Sequence, residues 1–146
     1  MFAFFMKPLP AGVVAPDFTL RDDSGQDVSL AAARGKNVIL VFYPADETRI
    51  CTRQLCEFRD SWADVQARNA VVYGVNPGSA ASHQSFRKRH GLPFPLLVDE
   101  GKRVAKLYRA AGLIVRRTVY LIGPDGVIRY STRGKPNPKE VLAAAG

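Results

Sequence analysis

Cysteine is scarce in this chain: among 146 residues there are two, Cys51 and Cys56. Two cysteines are too few for a disulfide scaffold, so they are expected to be chemical rather than structural. Their C-x4-C spacing is not a usual zinc pattern, and the two histidines, His83 and His90, are remote in sequence. No metal site is therefore expected. Long apolar runs are also missing, and nothing approaches the roughly 20 residues of a membrane span. Acidic residues are outnumbered, 13 against 21 Lys and Arg, for a net charge of +8. The basic residues are scattered, however, with the densest groups at Arg87-Lys88-Arg89-His90 and Arg116-Arg117. Neither accompanies a recognisable nucleic-acid module, so only weak, nonspecific attraction to polyanions is expected. Repeats, low-complexity tracts and domain-splitting linkers are absent too.

What is present fits one domain with a real core, 47% hydrophobic and 23% charged. The opening Met1 to Lys7 is apolar but lacks a basic n-region and a long h-region, so it is a poor signal peptide. Residues 1–11 are read as a flexible extension, with Met6 an alternative start, and residues 12–146 as the single domain. The expected location is cytoplasmic.

Asp17 to Asp22 and Gln26 to Leu30 flank a turn at Asp23-Ser24-Gly25 and read as an N-terminal hairpin. Asn37 to Tyr43 is a continuous apolar run of β-branched and aromatic residues, the mark of a buried strand. Pro44 ends it. Leu55, Phe58, Trp62 and Val65 lie on one face of a helix expected from about Thr52 to Arg68. A strand at Ala70 to Val75 and a helix at Ala80 to His90, closed by Gly91, follow. Then come a short strand at Leu96 to Val98, a helix at Gly101 to Tyr108, and a hairpin of Thr118 to Ile122 with Val127 to Tyr130 around Gly123-Pro124-Asp125-Gly126. A last helix covers Pro138 to Ala145. This order predicts an α/β fold: a central mixed β-sheet flanked by helices, with the N-terminal β-hairpin.

The chemistry is expected at Pro44-Ala45-Asp46-Glu47-Thr48-Arg49-Ile50-Cys51. Thr48 is an acceptable N-cap, which makes Arg49, Ile50 and Cys51 the first three helical positions. Free N–H groups and the helix dipole favour negative charge there, and a thiol is a nucleophile only as its thiolate. On an intact helix, Cys51 and Cys56 differ by roughly 7.5 Å of rise and about 140° of rotation. That exceeds the roughly 7 Å between Cα atoms that a disulfide spans, so a bond between them requires the first turn to unwind. On spacing alone two readings stand: a redox pair, or one reactive and one buried cysteine.

Several strings together resemble the peroxiredoxins, most closely the bacterioferritin-comigratory-protein (PrxQ) group: Ala15-Pro16-Asp17-Phe18-Thr19-Leu20, Phe42-Tyr43-Pro44 with Thr48 and Cys51-Thr52, Cys56-Glu57-Phe58-Arg59-Asp60, Ser82-His83 with Phe86, Leu92 to Leu97, and Arg117 before Tyr120-Leu121-Ile122. The resemblance covers Gly12 to about Leu142. It implies a thioredoxin-like fold and reduction of hydrogen peroxide and organic hydroperoxides by a thiol. Its Pro-x-x-x-Thr-x-x-Cys motif falls on Pro44, Thr48 and Cys51, its active-site arginine on Arg117 rather than Arg116, and its second cysteine on Cys56. In that scheme Thr48 orients peroxide and sulfur, Arg117 stabilises the thiolate and the leaving oxygen, and Pro44 shapes the loop and shields the sulfur from water. Cys56 resolves the Cys51 sulfenic acid, and thioredoxin or a similar dithiol resets the enzyme. A monomer or weak dimer is expected.

Taken singly, Thr48 is only a cap, Arg117 a surface arginine and Pro44 strand punctuation. Asp46 and Glu47 are expected to face solvent without a role, His83 and His90 to lie at the surface, and Trp62 in the core. The chain departs from the group at Arg49-Ile50, where Pro-Gly is common, in a short Tyr108 to Arg117 segment, and at Asn76-Pro77-Gly78, where a Ser-Pro-Asp type string is more usual and little consequence is expected. Two rival readings remain. A thioredoxin-like disulfide reductase would prefer C-x-x-C. A basic polyanion binder would be indifferent to Cys51→Ser and would lose affinity steeply with salt.

Overall fold

The computed structural model describes residues 7–146. Five strands form one sheet: β3 (Asn37–Phe42), β4 (Ala70–Asn76), β5 (Leu96–Val98), β6 (Thr118–Ile122) and β7 (Ile128–Arg133). Their spatial order is β5-β4-β3-β6-β7. β3 runs parallel to β4, and β4 to β5, whereas β6 is antiparallel to β3 and to β7. A separate antiparallel hairpin pairs β1 (Thr19–Arg21) with β2 (Asp27–Ser29). The expected mixed sheet, flanking helices and N-terminal hairpin are what the chain forms.

β3 is central, and all six of its residues are buried. Successive side chains point to opposite faces of a strand, so the run supplies two cores. Val38, Leu40 and Phe42 join one cluster with Leu20, Val104, Tyr108 and Tyr120. Ile39, Val41 and Tyr43 join the other with Leu55, Phe58, Phe86 and Val119. The second face carries the helices α1 (Arg49–Asp60), α2 (Trp62–Ala67), α3 (Ala80–His90) and α5 (Pro138–Leu142). The hairpin and α4 (Arg103–Leu107) cover the first. Among the described residues no helix is long and apolar enough to cross a membrane.

Four boundaries differ from the sequence pattern. The helix expected from Thr52 to Arg68 is two, because Ser61 leaves helical geometry at ψ 16°. The bend sets the partly buried Trp62 ring 5.9 Å from Phe94. α4 starts late because Gly101 and Lys102 both take left-handed backbone, φ 68° and 57°. The buried Asp99 carboxylate then accepts the Val104 and Ala105 N–H groups, 2.9 Å each. β7 runs on through the polar Ser131 to Arg133 because Thr118 and Arg133 still pair across the ladder. α5 stops at Leu142.

Residues 1–6 of the expected extension lie outside the described residues. Further along it, Leu9 is buried in the first cluster, and its N–H donates to the Tyr120 hydroxyl at 2.9 Å.

Candidate active site

β3 delivers Tyr43 and Pro44 to the C-terminal edge of the sheet, and the loop after them turns into α1. Thr48 is the N-cap by backbone geometry (φ −85°, ψ 150°), so Arg49, Ile50 and Cys51 do form the first turn. Its side chain makes no capping bond. The Thr48 hydroxyl instead donates to the Ala45 carbonyl at 2.8 Å, which cinches the loop and leaves the oxygen's lone pairs as acceptors. Cys51 is buried, 1% exposed, in that turn.

Arg117 stands immediately before β6. One guanidinium nitrogen, Nη2, donates to Cys51 Sγ at 3.3 Å, and the other, Nη1, to Gln54 Oε1 at 2.8 Å. Gln54 is fully buried, and its amide nitrogen reaches the Gly134 carbonyl at 3.4 Å. The Gly134 N–H returns to the Arg117 carbonyl at 2.8 Å. One turn on, Lys135 Nζ meets both Glu57 carboxylate oxygens at 2.7 Å. The strand-end segment from Arg133 to Lys135 thus holds α1 and the Arg117 backbone in one frame. Gln54 was not singled out from the sequence. The signal was its place three residues after Cys51, on the same helix face.

Cys56 is half-buried on α1 and packs against the second cluster. Burial pushes its thiol pKa up, and the nearby Arg59 offsets only part of this. Both thiols are free, and the helix between them is continuous.

Two expectations about polar residues fail. His83 is not at the surface but fully buried, and Asp46 does not face solvent, its side chain being 6% exposed. Asp46 accepts from the Tyr43 hydroxyl at 2.7 Å and the Ser82 hydroxyl at 2.8 Å, and pairs with His83 Nδ1 at 2.6 Å. Burial alone would raise the Asp46 pKa, but these hydrogen bonds and the His83 charge outweigh it and hold the carboxyl below its ordinary value. Burial alone would likewise lower the His83 pKa, yet the bond to Asp46 and its charge carry the imidazole above its ordinary value. Burial and the Asp46 charge push the Tyr43 phenol well up.

Asn76 also matters more than expected. Its side-chain nitrogen donates to the carbonyls of both Tyr43 and Pro44, 2.8 Å each. Pro44 is half-buried at that point. Two donors on one group are needed for this, and a serine hydroxyl has only one. For His83 the signal in the sequence was its place seven residues before His90 on one helix face, both facing the Asp46-Glu47 loop.

Residues 11–131 match the AhpC/TSA family. The chain belongs to the AhpC/TSA family. Family relatives include the chloroplastic peroxiredoxin Q of Triticum aestivum, 42% identical over 133 residues, and that of Oryza sativa subsp. japonica, 41% identical over 133. Each alignment covers 88% of this chain but 61% of the relative, so the chain spans about three-fifths of their length. Among solved structures, the peroxidoxin BcpB of Mycobacterium tuberculosis superposes with a TM-score of 0.87 at 27% identity, covering 95% of this chain and 96% of that one. A cysteine mutant of Xylella fastidiosa PrxQ gives 0.86 at 26%, covering 92% and 94%. The AhpC/TSA fold seen here is therefore the thioredoxin-like fold of the PrxQ peroxiredoxins, as the sequence resemblance implied.

Proposed function

We propose that the protein is a thiol peroxidase that reduces hydrogen peroxide and organic hydroperoxides. The observation that carries this reading is the Arg117 guanidinium 3.3 Å from a buried cysteine sulfur in the first turn of a helix. A fixed cation and free N–H groups at that place stabilise negative charge, both on sulfur and on a departing oxygen.

In the first step the Cys51 thiolate gives an electron pair to one peroxide oxygen. The S–O bond forms, the O–O bond breaks, and the other oxygen leaves as water or alcohol after taking a proton. Cys51 is then a sulfenic acid. In the second step the Cys56 thiolate attacks the Cys51 sulfur, the S–S bond forms, the S–O bond breaks, and the hydroxyl takes a proton and departs as water. The intact turn from Cys51 to Cys56 must open for this, because roughly 7.5 Å of helical rise separates them. An external dithiol such as thioredoxin then reduces the disulfide by exchange and is itself oxidised. Thr48 contributes its oxygen as an acceptor for the peroxide O–H, and Pro44 walls off the sulfur. A reducing compartment such as the cytoplasm fits a cycle whose dithiol must be kept reduced. Since both thiols lie on one helix, a single chain, as monomer or weak dimer, suffices.

The test is peroxide consumption by the fully reduced protein, read by intact mass. One peroxide per chain, a loss of about two hydrogens and a Cys51–Cys56 peptide are expected. Consumption no faster than that of an ordinary exposed thiol overturns the reading.

A further inference from the structure

We propose that His83 is a positioning residue for Cys51, acting through Asp46 to lock the Pro44 to Thr48 loop onto the corner where β4 meets α3. The inference rests on the peroxidase reading of Cys51.

Proton placement follows from the partners. His83 Nε2 faces the carbonyl oxygens of Asn76 at 3.1 Å and Leu97 at 3.2 Å. Carbonyls only accept, so Nε2 carries a proton. Nδ1 faces Asp46 Oδ2 at 2.6 Å. Asp46 already accepts from the Tyr43 and Ser82 hydroxyls, so it is an ionised acceptor and Nδ1 carries a proton as well. His83 is an imidazolium clamped between one carboxylate and two carbonyls. The charged and titratable groups that face it are Asp46 from the loop and Tyr43 from the end of β3, whose ring centroid lies 6.4 Å away. β4 and β5 present only the neutral Asn76 and Leu97 carbonyls, and His90 on the same helix turns to Glu47.

The rest of the corner closes on the same loop. Asn76 grips the Tyr43 and Pro44 carbonyls. Glu47, the next residue after Asp46, takes left-handed backbone at φ 60° and is held by His90 at 3.1 Å. Gly78 leaves room for the cluster: a Cβ there would lie 2.8 Å from Asn76 Oδ1 and 3.2 Å from His83 Cε1. Thus Tyr43, Pro44, Asp46 and Glu47 are all pinned to one surface, and Thr48 and the Cys51 turn follow directly. A nucleophile displaced by even 1 Å loses rate steeply. The pinned residues also end at Glu47, just before the turn that must unwind, so the lock confines the opening to Thr48 and beyond.

The experiment compares wild type with His83→Ala, His83→Asn and Asp46→Asn. The readouts are the single-turnover rate with hydrogen peroxide, the iodoacetamide alkylation rate of Cys51, and backbone hydrogen exchange of residues 44–51. Asparagine at 83 keeps a donor near the Nδ1 place. The lock predicts a roughly tenfold to hundredfold loss of peroxide and alkylation rate in His83→Ala, with faster exchange confined to the loop, and substantial recovery in His83→Asn. If His83→Ala does not fold, the near-isosteric Asp46→Asn decides by the same readouts. Folded variants with wild-type rates and wild-type loop exchange overturn the proposal. A wild type that consumes no peroxide overturns the peroxidase reading instead, while alkylation and exchange still judge the lock.

Discussion

Cys51 and Gln54 share one guanidinium: Arg117 reaches the sulfur with Nη2 at 3.3 Å and the Gln54 carbonyl oxygen with Nη1 at 2.8 Å. The fork is planar and rigid, so fixing one prong aims the other. The sulfur and the residue one helical turn below it are therefore held by the same group. Both contacts therefore depend on the helix from Cys51 to Gln54 being intact.

Arg117→Met removes the cation and both bonds, and the peroxide step should slow about a hundredfold or more, the scale seen when one preorganised donor to a developing charge is deleted. Arg117→Lys keeps a point charge but not the fork and should recover only part of the loss. Stopped-flow measurement of single-turnover peroxide reduction checks both. An Arg117→Met rate equal to wild type would remove Arg117 from the mechanism.

Gln54→Ala leaves the Arg117 Nη1 donor without its partner in a part-buried place. A lost partner of this kind costs about 1–3 kcal/mol. Lower stability by urea titration should come with a slower peroxide step, since the prong toward Cys51 is no longer aimed. Lower stability with an unchanged rate would make Gln54 purely structural.

Cys56→Ser should keep the first peroxide reaction and lose recycling by thioredoxin, with mass analysis showing a persistent sulfenic acid at Cys51. Recycling that continues would mean that the external dithiol attacks Cys51 directly.

Gly74→Ala tests the packing of the sheet on α1. A Cβ there would sit 2.6 Å from Leu96 Cδ2 and 3.1 Å from Tyr43 Cε1. Overpacking of this kind typically costs about 1–3 kcal/mol. Thermal unfolding should show a lower midpoint, and an unchanged one would mean that Leu96 yields freely.

The His83–Asp46 pair makes stability depend on pH with a definite sign. His83 is raised above its ordinary 6.5, so its contribution is complete below about that pH and fades as pH climbs through the raised value. Asp46 is lowered beneath its ordinary 3.8, so its contribution is complete above that pH and fades as pH falls through the lowered value. The pair is strongest between the two. Urea titrations of wild type and His83→Asn across pH 5 to 9 should show the wild-type advantage shrinking on the alkaline side. A constant difference would mean that folding leaves the His83 pKa unchanged, and an advantage that grows toward alkaline pH would mean that His83 is neutral in the folded protein.

The sequence by itself determined the strands, the helix that carries both cysteines and the place of Cys51 in its first turn. These rest on local rules: apolar alternation, proline and glycine punctuation, and the cap at Thr48. Its failures share a cause. Helix ends at Ser61 and Lys102 depend on what each segment packs against, as with Trp62 on Phe94 and Asp99 beneath α4. Asp46 reads as solvated, like its exposed neighbour Glu47, until α3, some 36 residues later, is seen to cover it with Ser82 and His83. Only the tertiary structure brought Arg117 across 66 positions to Cys51, and joined Asn76 and His83 to the loop before it. Hydrogen bonds between distant residues leave no local periodicity, so charge and shape become a site only where the sheet sets the strand ends side by side.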